Sequence, residues 1–390
     1  MPFDAARSRC AEGAVRPRVL PEHHEHFVDT MIDSSPADSL IGIGLTAAMF
    51  QQLIARPAYA GETPMRVIEI RRDAVCVHDG AHERLAVVPP SIAQTLADDA
   101  LAVGDWVLVD QPAPGRWRVV ERVPPLTQIA RRTNDGRGAA KRQVLVANVD
   151  SALLVMGLDR DFNARRLERY LALAYLSGVP AVLVLTKADT LAPALLERRI
   201  DEARESLRPG SPLFALDARA PDAGVCLTPW LGRGQTVVVL GSSGAGKSTL
   251  TNTLCGDALQ DTGAVRIDDG RGKHTTTTRT LRFACAGGCV IDTPGLRSLR
   301  LDVDDASELA GVFDDVSTLA LRCRFRDCRH QSEPGCAVRE GLPADRVHNF
   351  HKLQREARRD SLNALERREQ RSAWKMRGRE AAIRSRAKRG

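Results

Sequence analysis

Residues 241–249 read Gly241-Ser242-Ser243-Gly244-Ala245-Gly246-Lys247-Ser248-Thr249, a string suited to holding a phosphate chain. Its glycines let backbone N–H groups turn inward around a β-phosphate, and a helix beginning at Lys247 adds the positive end of its dipole. Lys247 is placed to bridge β- and γ-phosphates, and the Ser248 hydroxyl offers a ligand for Mg2+. An apolar run at 236–240 precedes the loop and Leu250 follows it, so the strand and helix that such a loop needs are both present. The loop alone does not name the nucleotide, because transporter-type ATPases use nearly the same string.

Two further segments narrow the choice. The apolar run 181–185 ends in Thr186-Lys187-Ala188-Asp189. A carboxylate at a strand's C-terminal edge can accept two hydrogen bonds from guanine's N–H groups, and adenine offers no such pair. The aliphatic stem of Lys187 can cover the base face. The run Val290-Ile291 leads into Asp292-Thr293-Pro294-Gly295, where Asp292 would hold the Mg2+ shell and the Gly295 N–H would sense the γ-phosphate. Many GTPases orient the attacking water with a Gln directly after this switch, but Leu296 stands there. His274, between Gly270 and Thr278, is the nearest candidate to orient water, and Thr276 or Thr277 can close on Mg2+. A slow intrinsic rate, raised when a partner orders this segment, is expected.

Cys323, Cys328, His330 and Cys336 form a Cys-x4-Cys-x-His-x5-Cys cluster. Three thiolates and one imidazole suit tetrahedral structural Zn2+ with no open catalytic position. The short spacing closes its loops at low entropic cost. Cys285 and Cys289 flank Ala-Gly-Gly and read as a hairpin turn, and His23, His24 and His26 read as an exposed polar run.

The elements that must position these groups follow from hydrophobic period. Short strand-like runs at 65–70, 74–78, 84–88, 106–109 and 117–123 are separated by Asp, Gly and Pro turns, which predicts a small closed barrel of OB type. A basic, Gly-containing connection at 131–142 leads into buried strands alternating with amphipathic helices. These are strands at 144–149, 152–156, 181–185 and 236–240, helices at 164–176 and from Lys247, and a hairpin across 281–291. Beyond Asp302 the chain reads as helical around the cysteine cluster. The expected domains are a flexible arm at 1–60, the barrel at 61–125, an α/β nucleotide-binding domain at 126–302, and a zinc-binding helical subdomain with a basic tail at 303–390.

Composition sets the remaining bounds. The 390 residues exceed what one compact core usually holds. With 43% hydrophobic and 27% charged residues the chain reads as globular, and no apolar run reaches the roughly 20 residues that span a bilayer. Nine cysteines and no export signal suit a reducing cytoplasm. The net charge of +7 is concentrated at the end, where residues 351–390 carry 14 Lys or Arg against 5 Asp or Glu. A barrel of this type often presents a face to single-stranded nucleic acid, and Arg71, Arg72, Arg131, Arg132, Arg137, Lys141 and Arg142 are candidates for phosphate contacts around it.

The base reader at 186–189 precedes the phosphate loop at 241–249, the reverse of the ordinary GTPase order. A circular permutation keeps every spatial contact when the old termini lie close. With the barrel before and the cysteine cluster after, the chain resembles the circularly permuted, ribosome small-subunit-dependent GTPase family over residues 40–353. The segments carrying the resemblance are Asn148-Val-Asp150, Asp161-Phe-Asn163, Arg169-Tyr-Leu171, 186–189, 241–249, Lys273-His-Thr-Thr276, 292–295 and 323–336. The resemblance implies a monomeric, cytoplasmic GTP-hydrolysing factor, with GTP or GDP, Mg2+ and one Zn2+. It also implies a small-ribosomal-subunit partner, contacts to its rRNA and a role late in its maturation. At Thr186 the family usually carries Asn, and the shorter hydroxyl is expected to lose an amide contact to the purine and to the phosphate loop. One rival is a transporter-associated ATPase, which lacks its Leu-Ser-Gly-Gly-Gln signature here. The other is an RNA-binding, ribosome-associated module with a mainly structural nucleotide site.

Overall fold

The computed structural model describes residues 36–56, 61–72, 74–96, 99–134, 140–256, 279–295, 300–302, 309 and 311–361. These divide into two compact units, one within Met1–Ala130 and Gln143–Leu299 and the other within Arg131–Arg142 and Arg300–Gly390.

The first unit is built on one continuous sheet. Strands β1 (Thr63–Ile70), β2 (Ala74–His78), β3 (Glu83–Val87), β4 (Trp106–Ala113) and β5 (Arg116–Arg122) run in the order β1-β2-β3-β5-β4, and a β1–β4 pairing closes them. All neighbours are antiparallel except β3 and β5, which is the OB-type barrel that the turn spacing predicts. Alternation along the strands sends Met65, Val67, Val75, Val77, Val107, Val109 and Val119 into the barrel interior. Gly104 turns the chain into β4 at φ +96°, and a Cβ there would lie 2.0 Å from the Ala147 carbonyl oxygen.

Where the sequence reads as a flexible arm, residues 36–56 carry helices α1 (Pro36–Gly42) and α2 (Ala47–Ile54). Thr46 caps α2 by accepting the Met49 N–H at 3.2 Å. Leu40, Ile43, Leu45 and Met49 pack on Trp106, Leu108 and Val123. Each such side chain contributes about 1.5–3 kcal/mol on burial, and the two helices are too short to show a sustained period in the sequence. Residues 1–35 lie outside the described region.

From β1 the sheet continues through β12 (Thr280–Phe283) and β13 (Cys289–Asp292) to β11 (Thr236–Gly241), β8 (Ser151–Gly157), β9 (Ala181–Thr186) and β10 (Leu213–Ala215). From β13 to β10 every pairing is parallel. β8, β9 and β11 are apolar along nearly their whole length because both faces are covered. Helices α4 (Ala164–Leu176), α5 (Pro193–Glu205) and α6 (Lys247–Cys255) belong to this part, and α3 (Pro90–Thr95) lies between β3 and β4. The guanidinium of Arg66, fully buried on β1, donates to Thr236 Oγ1 at 2.8 Å, to the Asn148 carbonyl at 2.7 Å and to the carbonyls of Ile43 and Gly104. It thereby ties the barrel to the strand that feeds the phosphate loop.

The expected connection at 131–142 is partly β structure. β6 (Gln128–Asn134) and β7 (Ala140–Ala147) pair as a two-stranded ribbon. In the second unit Arg132 and Arg142 converge on Asp302 at 3.1 and 2.8 Å, so these two phosphate-contact candidates are engaged by a carboxylate distant in sequence. That unit also holds α7 (Asp314–Ala320), α8 (Ala337–Gly341) and α9 (Ala344–Ser361). Phe313 and Phe350 meet edge to face at 5.3 Å, and Arg346 lies over Phe313 while bonding Asp315 at 2.9 and 3.1 Å.

Candidate nucleotide and metal sites

β11 ends at Gly241 against Val155 of β8, and its Val239 is level with Asp292 of β13. Gly241 is obligatory, since a Cβ would lie 2.2 Å from the Val155 carbonyl oxygen. Gly244 and Gly246 adopt φ of +82° and +87°, the left-handed region that opens a loop around an anion. Lys247, first residue of α6, is buried and donates to the Ser242 carbonyl at 2.7 Å. Burial pulls its amine down to about 8, against the opposing charges of Asp292 and Asp161. Ser248 follows on α6, one residue further from the loop. A cradle of three constrained glycines beside a buried ammonium fits a polyphosphate.

Asp161 is part of this loop's support. Ser242 Oγ donates to its carboxylate, and Arg166 donates both to that carboxylate and to the Asp161 carbonyl. Asn163 caps α4 by accepting the Arg166 N–H at 2.9 Å, which fixes Arg166 below Asp161. The sequence marks the Asp161-Phe-Asn163 segment without revealing this role, because the contact joins residues 81 positions apart.

The Thr186-Lys187-Ala188-Asp189 segment meets the same loop. Thr186, fully buried at the end of β9, donates to the Ala245 carbonyl at 2.6 Å. The expectation that the shorter hydroxyl loses the phosphate-loop contact is therefore corrected: Gly246, lacking a Cβ, lets the loop approach Thr186 closely. Lys187 adopts φ +61° and its Nζ bridges the Asp159 carboxylate at 2.6 Å and the Gly244 carbonyl at 2.7 Å. Ala188 and Asp189 lie in a 3-10 turn, Ala188–Thr190. Beside them runs a segment that the sequence reading missed, Leu216 to Arg219. Ala188 N–H donates to the Leu216 carbonyl at 3.3 Å, the Ala218 carbonyl accepts from Thr253 at 2.7 Å, and Arg219 pairs with Asp189 at 2.7 Å. A three-residue strand gives little periodic signal, and only its register beside β9 reveals it.

Asp292 closes β13, buried, and the next residue, Thr293, donates to the Val239 carbonyl at 2.6 Å. At Gly295 a Cβ would lie 2.6 Å from the Ser243 nitrogen, so only glycine lets the switch come this near the loop. His274, Thr276, Thr277, Leu296 and the basic tail beyond Ser361 lie outside the described residues.

In the second unit the ligand atoms of Cys323, Cys328, His330 and Cys336 all lie within 4.8 Å of one another. His330 Nδ1 is 3.6 Å from Cys323 Sγ and 3.5 Å from Cys336 Sγ, and those two sulfurs are 4.0 Å apart. Metal–sulfur bonds of about 2.3 Å and metal–nitrogen bonds of about 2.0 Å imply tetrahedron edges close to these, so the donor set fits Zn2+ in both type and size. His330 takes φ +58°, and its carbonyl lies 3.0 Å from His351 Nε2 of α9. Glu333 organises the loop by accepting backbone N–H bonds, from its own amide and from Gln331, Arg329 and Ser332, which hold its carboxyl down at about 2.

A glycine loop on a parallel sheet, with the Thr-Lys-x-Asp segment ahead of it in the chain and the Asp-Thr-Pro-Gly segment after it, defines a circularly permuted P-loop GTPase. A sequence model described as RsgA GTPase matches residues 124–302, and this chain belongs to that family. A protein of Xanthomonas axonopodis pv. citri named small ribosomal subunit biogenesis GTPase RsgA is 44% identical over 314 residues, covering 77% of this chain and 82% of that protein. Its counterpart in Xanthomonas euvesicatoria pv. vesicatoria is 48% identical over 262 residues, covering 65% and 68%. The fold is shared with the crystal structure of YjeQ from Thermotoga maritima, at TM-score 0.54 and 24% identity over 76% of this chain and 98% of that one. It is shared too with YloQ, described as a circularly permuted GTPase, at TM-score 0.54 and 21% identity over 79% and 99%.

Proposed function

We propose that this GTPase binds the small ribosomal subunit in the cytoplasm as a monomer and couples GTP hydrolysis to late maturation of the subunit and to its own release. The observation that carries the nucleotide reading is the direct contact of Thr186 and Lys187 with the phosphate-loop carbonyls of Ala245 and Gly244. Base and phosphate recognition are thus one connected structure.

On this reading the residues take the following roles. Asp189 accepts guanine's two N–H donors, and the loop amides of 242–246 with Lys247 hold the phosphates. Ser248 and Asp292 are the protein's contribution to Mg2+, which neutralises charge on the β- and γ-oxygens when bound. His274 orients the attacking water, whose oxygen bonds the γ-phosphorus as the bond to the bridging oxygen breaks and whose proton goes to the released phosphate, and Thr276 or Thr277 would close on Mg2+ when it is bound. The Cys323, Cys328, His330 and Cys336 set holds one structural Zn2+.

The metal knuckle supplies a face for rRNA. Arg322, Arg324, Arg326 and Arg329 are all exposed on it, beside Phe325 at 41% and Leu321 at 89% exposure. Arginines with an accessible aromatic ring suit phosphates and unstacked bases. Exchange of Asp189 for Asn tests the guanine assignment. Affinity should pass from GDP to xanthosine diphosphate, whose ring carries an oxygen where guanine has its amino group, and equal ATP and GTP binding by the unmodified protein would refute the assignment.

A further inference from the structure

Asp189 already carries a guanidinium. Arg219 Nη2 donates to Asp189 Oδ2 at 2.7 Å, on the carboxylate that must accept the base. The guanidinium is held in that pose by Asp217, which takes Nε at 3.0 Å and Nη2 at 3.2 Å and also accepts the Arg219 backbone N–H at 3.0 Å. Asp217 and Arg219 flank Ala218 on the connection that leaves β10, so the clamp is built into a turn fixed beside the base reader. An arginine edge presents N–H donors to a carboxylate much as guanine's N1–H and amino group do.

We propose that Arg219 is an internal competitor for the guanine site: it masks Asp189, and guanine binds by displacing it while Asp217 retains the guanidinium. This inference rests on the reading of Asp189 as the base-recognition residue. Displacement is cheap, because Arg219 keeps its two bonds to Asp217 and is 67% exposed. The mask therefore tunes affinity and exchange without blocking the site. It acts on GDP and GTP equally, since its guanidinium bonds Asp217 and Asp189 at the base end and not the phosphate loop.

The test is nucleotide titration of the full-length chain carrying Arg219→Gln, which keeps a polar stem and removes the charge at an exposed position. GDP and GTP should both bind about two- to fivefold more tightly, in line with an exposed ion pair. The gain should disappear in roughly 1 M NaCl, where the screening length is about 3 Å. In the Asp189→Asn background, Arg219→Gln should leave xanthosine diphosphate affinity unchanged. Unchanged or weaker GDP binding in the single variant would overturn the proposal, making Arg219 a bystander or a nucleotide contact. Equal tightening in both backgrounds would overturn it too, because the effect would not pass through Asp189. If Asp189→Asn alone fails to transfer preference to the xanthosine nucleotide, the base-reading assignment itself falls, and that result is independent of Arg219.

Discussion

Thr186 Oγ1 donates to the Ala245 carbonyl at 2.6 Å across a separation of 59 residues, and neither group is reachable by solvent. The bond fixes the loop at 241–249 relative to the end of β9.

Thr186→Val keeps the shape and leaves the Ala245 carbonyl without its hydroxyl donor. GDP affinity should fall about five- to thirtyfold, the equivalent of about 1–2 kcal/mol for an unsatisfied buried acceptor. Thr186→Ser, retaining the donor, should stay close to the unmodified protein. Isothermal titration of both variants checks this, and matching affinities for Val and Ser would mean that the bond does not set the loop.

Much of this arrangement was readable from residue type and order. The α4 span, the apolar strands around the loop and the five barrel strands follow from period and turn chemistry, since local sequence encodes them. What escaped depends on distant partners. Arg66 reads as a charged strand residue until Thr236 and Asn148 close around it. Asp161 becomes a loop support only through Ser242, and Arg219 matters only because β10 lies beside β9. Helices α1 and α2 were missed because each is barely two turns long and is stabilised by Trp106 and Leu108 of the barrel.

Burial lowers the Lys247 amine from 10.5 to about 8. Between those values the unfolded chain binds the proton and the folded chain does not. Lys247 therefore disfavours folding below pH 8, and this cost is relieved as pH rises towards 10.5. Phosphate charge favours the ammonium, so nucleotide binding above pH 8 must take up a proton. GTP affinity should fall as pH rises through about 8 to 9.5, with proton uptake visible as a buffer-dependent binding enthalpy. Lys247→Met should abolish both the uptake and most of the affinity.

The metal knuckle should hold one Zn2+ per chain. Cys328→Ser should lose the metal and unfold the second unit locally, because the binding free energy of the metal is folding free energy there. His351→Ala should retain the zinc but weaken it about tenfold or more by releasing the His330 backbone. Elemental analysis and chelator competition measure both. Stoichiometric zinc in Cys328→Ser would refute the ligand set.

Arg324→Ala with Arg326→Ala should weaken small-subunit binding while zinc content stays at one. The slope of log affinity against log salt should fall in magnitude by about 1.4, or about 0.7 per lost phosphate contact to single-stranded RNA. Phe325→Ala should weaken binding with little change in slope, as expected for loss of stacking. Filter binding across a salt series separates the two effects, and unchanged affinity in both variants would remove the knuckle from the interface.

Steady-state GTP turnover with and without purified small ribosomal subunits decides whether subunit binding and GTP hydrolysis are coupled. With Leu296 where a water-orienting glutamine commonly stands, the isolated chain should turn over slowly, and small subunits should raise the rate at least about tenfold by completing the water-orienting arrangement around His274. A rate that is the same with and without small subunits, in a preparation that binds GTP and contains zinc, would rule the coupling out.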